Sequence, residues 1–343
     1  MVPLSYPHQY VDRATMQVRT EKLTGDRSVR FLYNNLRENA PVMFKALTSR
    51  RMSSLLGYFH YDMPRSPRRC DSLKLFRALG ADPQECLEPL EYFDSHRKVF
   101  ERKIQYWRYR PMENDIQIVV SPADSRVLIG SFSHFSSMFL KNRFFGLREL
   151  LGIGCPWYPR FIGGEFAIFR LTPDKYHYNH VPVSGSVVDY YKVDGQYHSC
   201  NPTAQVVMAS LYSKNRRIVT IIDTDVEGGS GVGLVAMVEI VALMIGDIAQ
   251  CYSEDEYSEA RSVQKGMFLH RGCPKSLFRP GSSTDVLIFE PNRIEFAADL
   301  VSNSCRSDVN SRFTVGFKKP LVETDVWVRS TIARRKEAQK YQN

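Results

Sequence analysis

Short runs rich in β-branched and aromatic residues fill the chain after Pro111, and they constrain its fold more than any other feature. They read IQIVV, RVLIG, EFAIFRL, SVVDYYKV, RRIVTIID and DVLIF. Gly, Pro, Asp and Asn separate the runs, as they separate strands at turns. Only a few helical segments, such as KNRFFGLRELLG, interrupt the pattern. We therefore expect residues 111–330 to form one β-rich domain.

Residues 25 to about 110 have a helical pattern instead. Pro41 stands where the first turn of a helix tolerates proline, and apolar residues follow it at helical spacing. A second helix, SLKLFRAL, is expected to end at Gly80, and a third, basic helix to run through EYFDSHRKVFERKIQYW. The sequence thus predicts an α+β protein with a helical N-terminal region, 1–110, before the β-rich domain, and with a polar tail, 331–343.

Composition and charge limit the partners. Apolar residues make up 43% of the 343 residues and charged residues 24%, which excludes a wholly disordered chain. Lys and Arg number 46 against 37 Asp and Glu, so the formal charge of +9 favours an anionic partner. No nucleic-acid-binding signature is present, so we expect no nucleic acid. The basic third helix is interpreted either as a solvated face or as a contact with an anionic membrane surface.

The cysteine spacing and the lengths of the apolar runs indicate the cellular compartment in which the protein is expected. Seven cysteines lie far apart without a CxxC pair, which argues against a zinc site or a disulfide framework and favours a reducing compartment. The first residues lack the apolar core of a signal peptide. The longest apolar stretch, 232–245, is interrupted by Glu239 and is shorter than the about 20 residues that span a bilayer. We expect a cytoplasmic protein, at most peripheral to a membrane.

Two segments place reactive side chains among turn residues. SPADS follows a strand and puts Asp124 at its end, where it either makes the turn or points a carboxylate into a site. LTPDKYHYNHVPVSG carries His177 and His180, whose spacing suits a metal only on a helix, and Pro173 and Pro182 leave little room for one. The histidines act either as general base and general acid or as structural residues bonded to the backbone.

A third segment, FRPGSSTDVLIFE, opens a Gly-Ser-Ser-Thr turn directly into a strand. It is either an ordinary loop or a nucleophile position, with a serine beside a flexible glycine carbonyl. By contrast, the GxGxxA match from Gly231 is not expected to bind a dinucleotide. Asp225 and Glu227 intervene between the preceding strand and these glycines, and their charge repels a pyrophosphate.

Together, in this order and at these distances, the segments resemble the phosphatidylserine decarboxylase family of pyruvoyl-dependent enzymes. The resemblance extends from about Phe100 to about Ser330 and also includes FERKIQYWRYRP, FLKNRFFGLRELLG, VQKG, DLVSNS and ETDVWV. The last two are similar to the soluble, non-mitochondrial-type branch. The chain departs from the family at Lys175-Tyr176-His177-Tyr178, where the family has Asp-Tyr-His-Arg. It also has Gly-Ser-Ser-Thr in place of Gly-Ser-Thr and lacks the long hydrophobic N-terminal segment of many members.

The resemblance implies that the chain is a zymogen that cleaves itself. Ser282 Oγ attacks the carbonyl of Gly281, His180 takes the serine proton and Asp124 holds the imidazole in the correct tautomer. β-Elimination then releases the ester as the carboxyl end of residues 1–281 and leaves a dehydroalanine. Water hydrolyses this residue to a pyruvoyl group at the new N-terminus with loss of ammonia, and chains 1–281 and 282–343 stay associated. The residues alone also leave open cleavage at the next bond, between Ser282 and Ser283.

The resemblance also implies an amine-forming decarboxylase, a carboxy-lyase of phospholipid biosynthesis. The pyruvoyl carbonyl takes up the substrate α-amine and accepts the electrons left by CO2, so neither pyridoxal phosphate nor a metal is expected. His177 protonates the substrate carbon, and Tyr178 contacts the substrate where the family has arginine. The expected reaction converts phosphatidylserine to phosphatidylethanolamine. The alternatives are a soluble decarboxylase of free, for example aromatic, L-amino acids and a non-catalytic lipid-binding protein.

Overall fold

A computed structural model describes residues 6–23, 26–58, 61, 72–132, 144–243, 247–281 and 283–337. Within these ranges the strands are β1 (Gln9–Asp12), β2 (Val18–Thr20), β3 (Ile118–Val120), β4 (Ser125–Ser131), β5 (Glu165–Leu171), β6 (Tyr178–His180), β7 (Gly185–Val193), β8 (Arg217–Asp223), β9 (Leu234–Val241), β10 (Ile248–Gln250), β11 (Phe268–Leu269), β12 (Pro274–Phe278), β13 (Ser283–Phe289), β14 (Ile294–Phe296), β15 (Thr324–Val326) and β16 (Thr331–Arg335). The α-helices are α1 (Asp26–Arg30), α2 (Arg37–Asn39), α3 (Pro41–Leu47), α4 (Arg50–Gly57), α5 (Ser72–Leu79), α6 (His96–Phe100), α7 (Tyr106–Tyr109), α8 (Leu147–Leu151), α9 (Pro202–Val207), α10 (Leu211–Lys214), α11 (Ala298–Ser304) and α12 (Arg312–Phe317). Helices and several sheets together confirm the predicted α+β class.

One large sheet organises the molecule, and the predicted β-rich runs supply most of it. Its described strands follow the order β11-β7-β8-β9-β13-β5-β4-β15-β1-β2. Strand β13 pairs antiparallel with β9 on one side and with β5 on the other. Alternate side chains of β13 enter two different cores, with Val286 and Ile288 on one face and Leu287 and Phe289 on the other. Burial on both faces explains why the run DVLIF is almost continuously apolar.

A small sheet of β10, β12 and β6 lies beside the cleavage region. In it His180 is the register partner of Pro274, and β12 ends at Phe278. The chain then passes through residues 279–282 and enters the large sheet at Ser283. The predicted cleavage region is therefore the connection between two sheets, anchored by a strand on each side.

The glycines of the GxGxxA match join two antiparallel strands. Gly231 and Gly233 have φ values of +67° and +78°, which only glycine adopts readily. They lie in the connection between β8 and β9, and the residues after them form β9. A dinucleotide fingerprint opens a helix instead, so its structural context is absent at these residues.

The helical N-terminal region is confirmed only in part. Helix α3 begins at Pro41, and α5 is followed by Gly80 with φ of +75°, as the sequence predicts. The long third helix is wrong, because the segment divides into a 3-10 turn, α6 and α7. Ser95 caps α6, and Ile104 leaves helical geometry to form a β-bridge with Cys86. Its face is not simply solvated either, since Phe100 is fully buried.

Both ends of the described chain join the β structure, which corrects the predicted boundaries. Strand β1 pairs in parallel with β15, so residues 9–20 extend the large sheet and are not part of a purely helical region. Residues 331–335, which we assigned to the polar tail, form β16 between β14 and β3. Ile332 and Ala333 are buried there, and this burial outweighs the polar neighbours. The division at residue 110 remains a prediction.

The described helices are short. None of them combines the length and the apolar character that crossing a bilayer requires.

Candidate active site

The predicted site residues lie on or beside the small sheet whose strand β12 leads into the connection between β12 and β13. His180 ends β6, and His177 directly precedes that strand. Asp124 immediately precedes β4. Backbone hydrogen bonds join these segments, because Phe278 N–H donates to His177 O at 3.0 Å and His180 N–H donates to Pro122 O at 2.7 Å. The fold thus brings the three sequence motifs together.

Gly281 and Ser283 flank the predicted nucleophile, and Ser282 itself lies outside the described residues. Gly281 has a φ of +145°, which a residue with a side chain rarely adopts. Ser283 is fixed in β13 opposite Leu171, and its buried hydroxyl has no hydrogen-bond partner in the described part of the chain. The backbone on either side of the predicted nucleophile is therefore well defined.

Asp124 is a buried carboxylate held by an arginine. Arg110 Nε donates to Oδ1 at 3.0 Å and Arg110 Nη2 to Oδ2 at 2.8 Å, while Val328 N–H donates to Oδ1 at 2.8 Å. Burial alone raises the pKa of Asp124, but the charge and hydrogen bonds of Arg110 lower it below its usual value. Arg110 also binds Glu85 through two contacts of 2.9 Å. Asp124 is therefore ionised and rigidly placed.

His180 has a partner at each ring nitrogen. Nδ1 lies 2.8 Å from Gly272 O, and Nε2 lies 3.0 Å from the Tyr176 hydroxyl. The hydrogen bond that we expected from Asp124 is not formed, since the Gly272 carbonyl occupies its place. Burial lowers the pKa of His180 to about 3, and the charge of Asp124 only partly opposes this. The ring is neutral at pH 7 and therefore able to accept a proton.

His177, unlike His180, has no side-chain partner for its ring nitrogens among the described residues. Its buried ring stacks on Phe100 with the centroids 3.6 Å apart. Neither ring nitrogen has a side-chain hydrogen bond within the described ranges. Burial lowers the pKa of His177 well below its usual value, and the charge of Arg102 adds to the effect. To act as a general acid, as predicted, His177 must first take up a proton.

Lys175 and Tyr178, the two residues that depart from the family's Asp-Tyr-His-Arg motif, both have defined side-chain partners. Lys175, which stands where the family has an acid, binds Asp325 with Nζ–O distances of 2.6 and 2.8 Å. Tyr178, which replaces the family's arginine, is 7% exposed and stacks on Tyr176 with ring centroids 5.5 Å apart. Tyr257 meets the same ring edge-on at 5.1 Å. The predicted substrate contact of Tyr178 therefore lies within an aromatic cluster.

Sequence reasoning missed the residues that hold the site together. Arg110, Gly272 and Tyr257 come from three separate segments, and only the fold brings them to Asp124, His180 and Tyr176, respectively. Arg110 lies within FERKIQYWRYRP, so the family resemblance gave a signal for its segment although not for its role. Neither Gly272 nor Tyr257 stands in a recognisable motif.

One cluster has the residue types of a metal site. Among the described residues, donor atoms of His8, Glu21 and Glu323 lie within 4.8 Å of one another. However, Arg170 binds both carboxylates, with Nη2 2.6 Å from Glu21 Oε2 and 2.5 Å from Glu323 Oε2. A second guanidinium, that of Arg126, also binds Glu21. Cations already engage these oxygens, so the residues fit a buried ion-pair network better than a metal centre.

Comparisons with known proteins identify the family of this chain. The family described as phosphatidylserine decarboxylase matches residues 97–314. A phosphatidylserine decarboxylase proenzyme of Fusobacterium nucleatum is 28% identical over 318 residues, covering 90% of this chain and 96% of that protein. One from Chlamydia trachomatis serovar L2 is 33% identical over 224 residues, covering 65% and 68%. Proenzyme 2 of Oryza sativa is 33% identical over 250 residues, but the chain spans only 37% of its length.

The family match includes Asp124, both histidines and the connection between β12 and β13, and it extends over more than half of the sequence. The chain therefore belongs to the phosphatidylserine decarboxylase family, a family of carboxy-lyases.

Proposed function

We propose that the chain cleaves itself between Gly281 and Ser282 and then, as a pyruvoyl-dependent enzyme, converts phosphatidylserine to phosphatidylethanolamine. One observation carries the proposal. Two buried, neutral histidines and an ionised aspartate lie on or beside the small sheet whose strand β12 leads into the connection that holds the Gly-Ser pair. Nucleophilic catalysis by serine needs this combination of a proton acceptor and a nearby negative charge.

In the proposed cleavage, Ser282 Oγ attacks the Gly281 carbonyl carbon. The hydroxyl proton passes to His180, the carbon–nitrogen bond breaks, and the released amine takes up the proton, which leaves an ester. A neutral His180 suits this step, because only the unprotonated ring accepts a proton. The Asp124 charge favours the imidazolium that forms, acting through space since no hydrogen bond joins the two groups. Gly281 suits the attacked position, because no side chain shields its carbonyl.

The pyruvoyl group derived from Ser282 fits the start of β13. That strand is paired on both sides, so it holds the new N-terminus in a fixed place within the large sheet. The group would supply a carbonyl that binds the substrate amine and accepts the electron pair that remains on the substrate when CO2 leaves. We assign to His177 the delivery of a proton to the substrate. Phe100 covers one face of its ring and excludes water from that side.

We propose that the two product chains stay associated. Strands β13 to β16 belong to residues 282–343, and three of them lie between or beside strands of residues 1–281. Strand β13 pairs with β9 and β5, β15 with β1 and β4, and β16 with β3. Separation requires these ladders to break and the cores on both faces of β13 to be exposed.

The buried ion-pair network also spans the two chains and predicts their response to acid. Glu323 belongs to the smaller chain, whereas Arg170 and His8, 2.7 Å from Glu323, belong to the larger. Burial raises the pKa of Glu323, but Arg170 and His8 lower it to about 2. Because the pKa is lower folded than unfolded, where it is about 4.3, the network stabilises above that pH and is lost towards pH 2.

We expect Glu323→Gln to lower the free energy of unfolding at pH 7 by about 3 kcal/mol, since it leaves a buried charge uncompensated. It should also flatten the decline in stability between pH 5 and 2. Urea titrations of the cleaved protein at several pH values measure both effects. Glu295→Gln, at an exposed acid of the same chain, is the control and should follow the wild type. A Glu323→Gln protein with the wild-type pH profile excludes this role.

We propose that helices α3 and α4 contact an anionic membrane. Val42, Met43 and Leu55 are exposed there, with Val42 84% accessible. Basic residues on the same helices include Lys45, Arg50 and Arg51. Exposed apolar side chains beside basic ones suit an anionic lipid surface, where each basic residue contributes about 1 kcal/mol.

The substrate is tested by release of CO2 from carboxyl-labelled compounds. We expect turnover of phosphatidylserine in anionic vesicles and little turnover of free L-amino acids. Val42→Glu should reduce both sedimentation with vesicles and turnover, because it places a negative charge at the proposed contact. Ile153→Glu, at an apolar residue that is 87% exposed outside these helices, is the control.

A free aromatic L-amino acid is the second candidate substrate. The observation in its favour is the aromatic cluster in which Tyr178 replaces the family's arginine. Arginine is the residue best shaped to hold a phosphate, and tyrosine is not. Turnover of such an amino acid, with none from vesicles and no sedimentation, contradicts the lipid assignment.

A further inference from the structure

A chain of buried hydroxyl groups ends at His180. Nε2 of His180 lies 3.0 Å from the Tyr176 hydroxyl, which lies 2.7 Å from the Tyr257 hydroxyl. The Tyr257 oxygen in turn lies 3.1 Å from Ile104 N and 2.8 Å from Ile104 O. At its other ring nitrogen, His180 meets the Gly272 carbonyl at 2.8 Å. These contacts join segments that are far apart in sequence.

The hydrogen-bond donors and acceptors around His180 can be assigned from the groups that surround it. The Gly272 carbonyl only accepts, so Nδ1 of His180 carries the proton. In a neutral imidazole Nε2 is then an acceptor, and it accepts a hydrogen bond from the Tyr176 hydroxyl. The single Tyr257 hydroxyl proton has two acceptors within reach, the Tyr176 oxygen and the Ile104 carbonyl, while the Tyr257 oxygen accepts from the Ile104 N–H. The Gly272 carbonyl therefore fixes one tautomer of His180, and Tyr176 donates to the other ring nitrogen.

We propose that Tyr176, anchored by Tyr257, is the positioning residue that sets the tautomer and basicity of His180 for self-cleavage. In this assignment the Gly272 carbonyl and the two tyrosines do what the serine-triad analogy gives to Asp124. Arg110 and Val328 already engage the Asp124 carboxylate. The proposal rests on the self-cleavage proposed above.

The two hydroxyls have a predictable effect on the pH dependence of cleavage. A hydrogen bond donated to Nε2 favours the neutral ring, because the imidazolium has no lone pair there to accept it. Loss of that bond raises the pKa of His180. The acid limb of the rate profile for self-cleavage then moves to higher pH, by roughly 0.5–1 unit for one hydrogen bond.

Tyr176→Phe tests this directly in the full chain. We follow conversion of the full-length chain to two products on denaturing gels, after synthesis in vitro and transfer to buffers between pH 3 and 9, because the His180 pKa of about 3 places the acid limb at the low end of this range. Tyr176→Phe should slow cleavage about 10- to 100-fold at pH 7, as loss of a positioning partner does, and should shift the acid limb upward. Tyr257→Phe removes the hydroxyl that contacts Tyr176 and the Ile104 backbone but keeps the bond between Tyr176 and His180, so it should give a smaller shift in the same direction.

Tyr33→Phe is the matched control. Its buried hydroxyl also contacts a histidine, His198, at 3.4 Å, but outside the site. This variant should cleave with the wild-type rate and profile. Slow cleavage with an unshifted profile in both test variants means a packing defect and overturns the proposal, as do wild-type rates. If Tyr176→Phe fails to fold by circular dichroism, the Tyr257→Phe profile decides. Failure of the wild type to cleave refutes the proposed function instead.

Discussion

Ser282→Ala is expected to leave the chain at full length and to abolish decarboxylation. Without Oγ there is no nucleophile for the Gly281 carbonyl, and without cleavage there is no pyruvoyl group to take up the substrate amine. Denaturing gels should show a single band where the wild type shows two. Labelled CO2 release should fall below detection.

Ser283→Ala is the control for this variant. Ser283 is already held in β13, opposite Leu171 and Val241, and so is less free to attack a neighbouring carbonyl. The Ser283→Ala chain should therefore cleave at the same bond as the wild type. Cleavage of Ser282→Ala together with an intact Ser283→Ala assigns the nucleophile to Ser283.

Substitutions of the two histidines are expected to block different stages, self-cleavage for His180 and substrate turnover for His177. His180→Ala should slow self-cleavage about 10²–10⁴-fold, the usual contribution of a general base. His177→Ala should still cleave but should lose turnover by a similar factor, because its ring, which has no side-chain hydrogen bond among the described residues, serves the substrate in our assignment. Gel time courses measure the first stage and labelled CO2 release the second.

An uncleaved His177→Ala chain contradicts this division. The ring of His177 lies beside Phe100, so a packing defect must be separated from a chemical one. His177→Gln keeps a polar side chain of similar size there. Normal cleavage and lost turnover in both variants support the assigned role.

The strands were predictable from sequence because burial on both faces selects continuous apolar runs. Strand β13 shows this, since Val286 and Leu287 enter opposite cores and both must be apolar. Asp124 and the two histidines were also recognisable, because turn residues surround them and the family has them in the same order. Such local signals do not depend on knowledge of the tertiary structure.

The errors arose where tertiary contacts outweigh local pattern. The third helix breaks because Ile104 pairs with Cys86 and its carbonyl and amide meet Tyr257. Strand β1 has no strong signal of its own and is strand-like because β15 lies beside it. Likewise, nothing near Lys175 in the sequence indicates that Asp325 neutralises it.

The orientation of His180 was unpredictable for the same reason. Its partners are Gly272 and Tyr176, whereas Asp124 is bonded to Arg110 and Val328 instead. The analogy with a serine triad predicts roles for Asp124, His180 and Ser282, and these roles remain predictions. It did not give the hydrogen bonds, because these depend on where the backbone of residue 272 passes.

Intact-mass analysis of the purified wild-type protein tests self-cleavage most directly. We expect two chains, residues 1–281 with an ordinary carboxyl end and residues 282–343 lighter by one ammonia than the plain hydrolysis product. That deficit identifies a pyruvoyl group in place of Ser282. A single full-length chain, a smaller chain that begins with an unmodified serine, or a break at another bond contradicts the account.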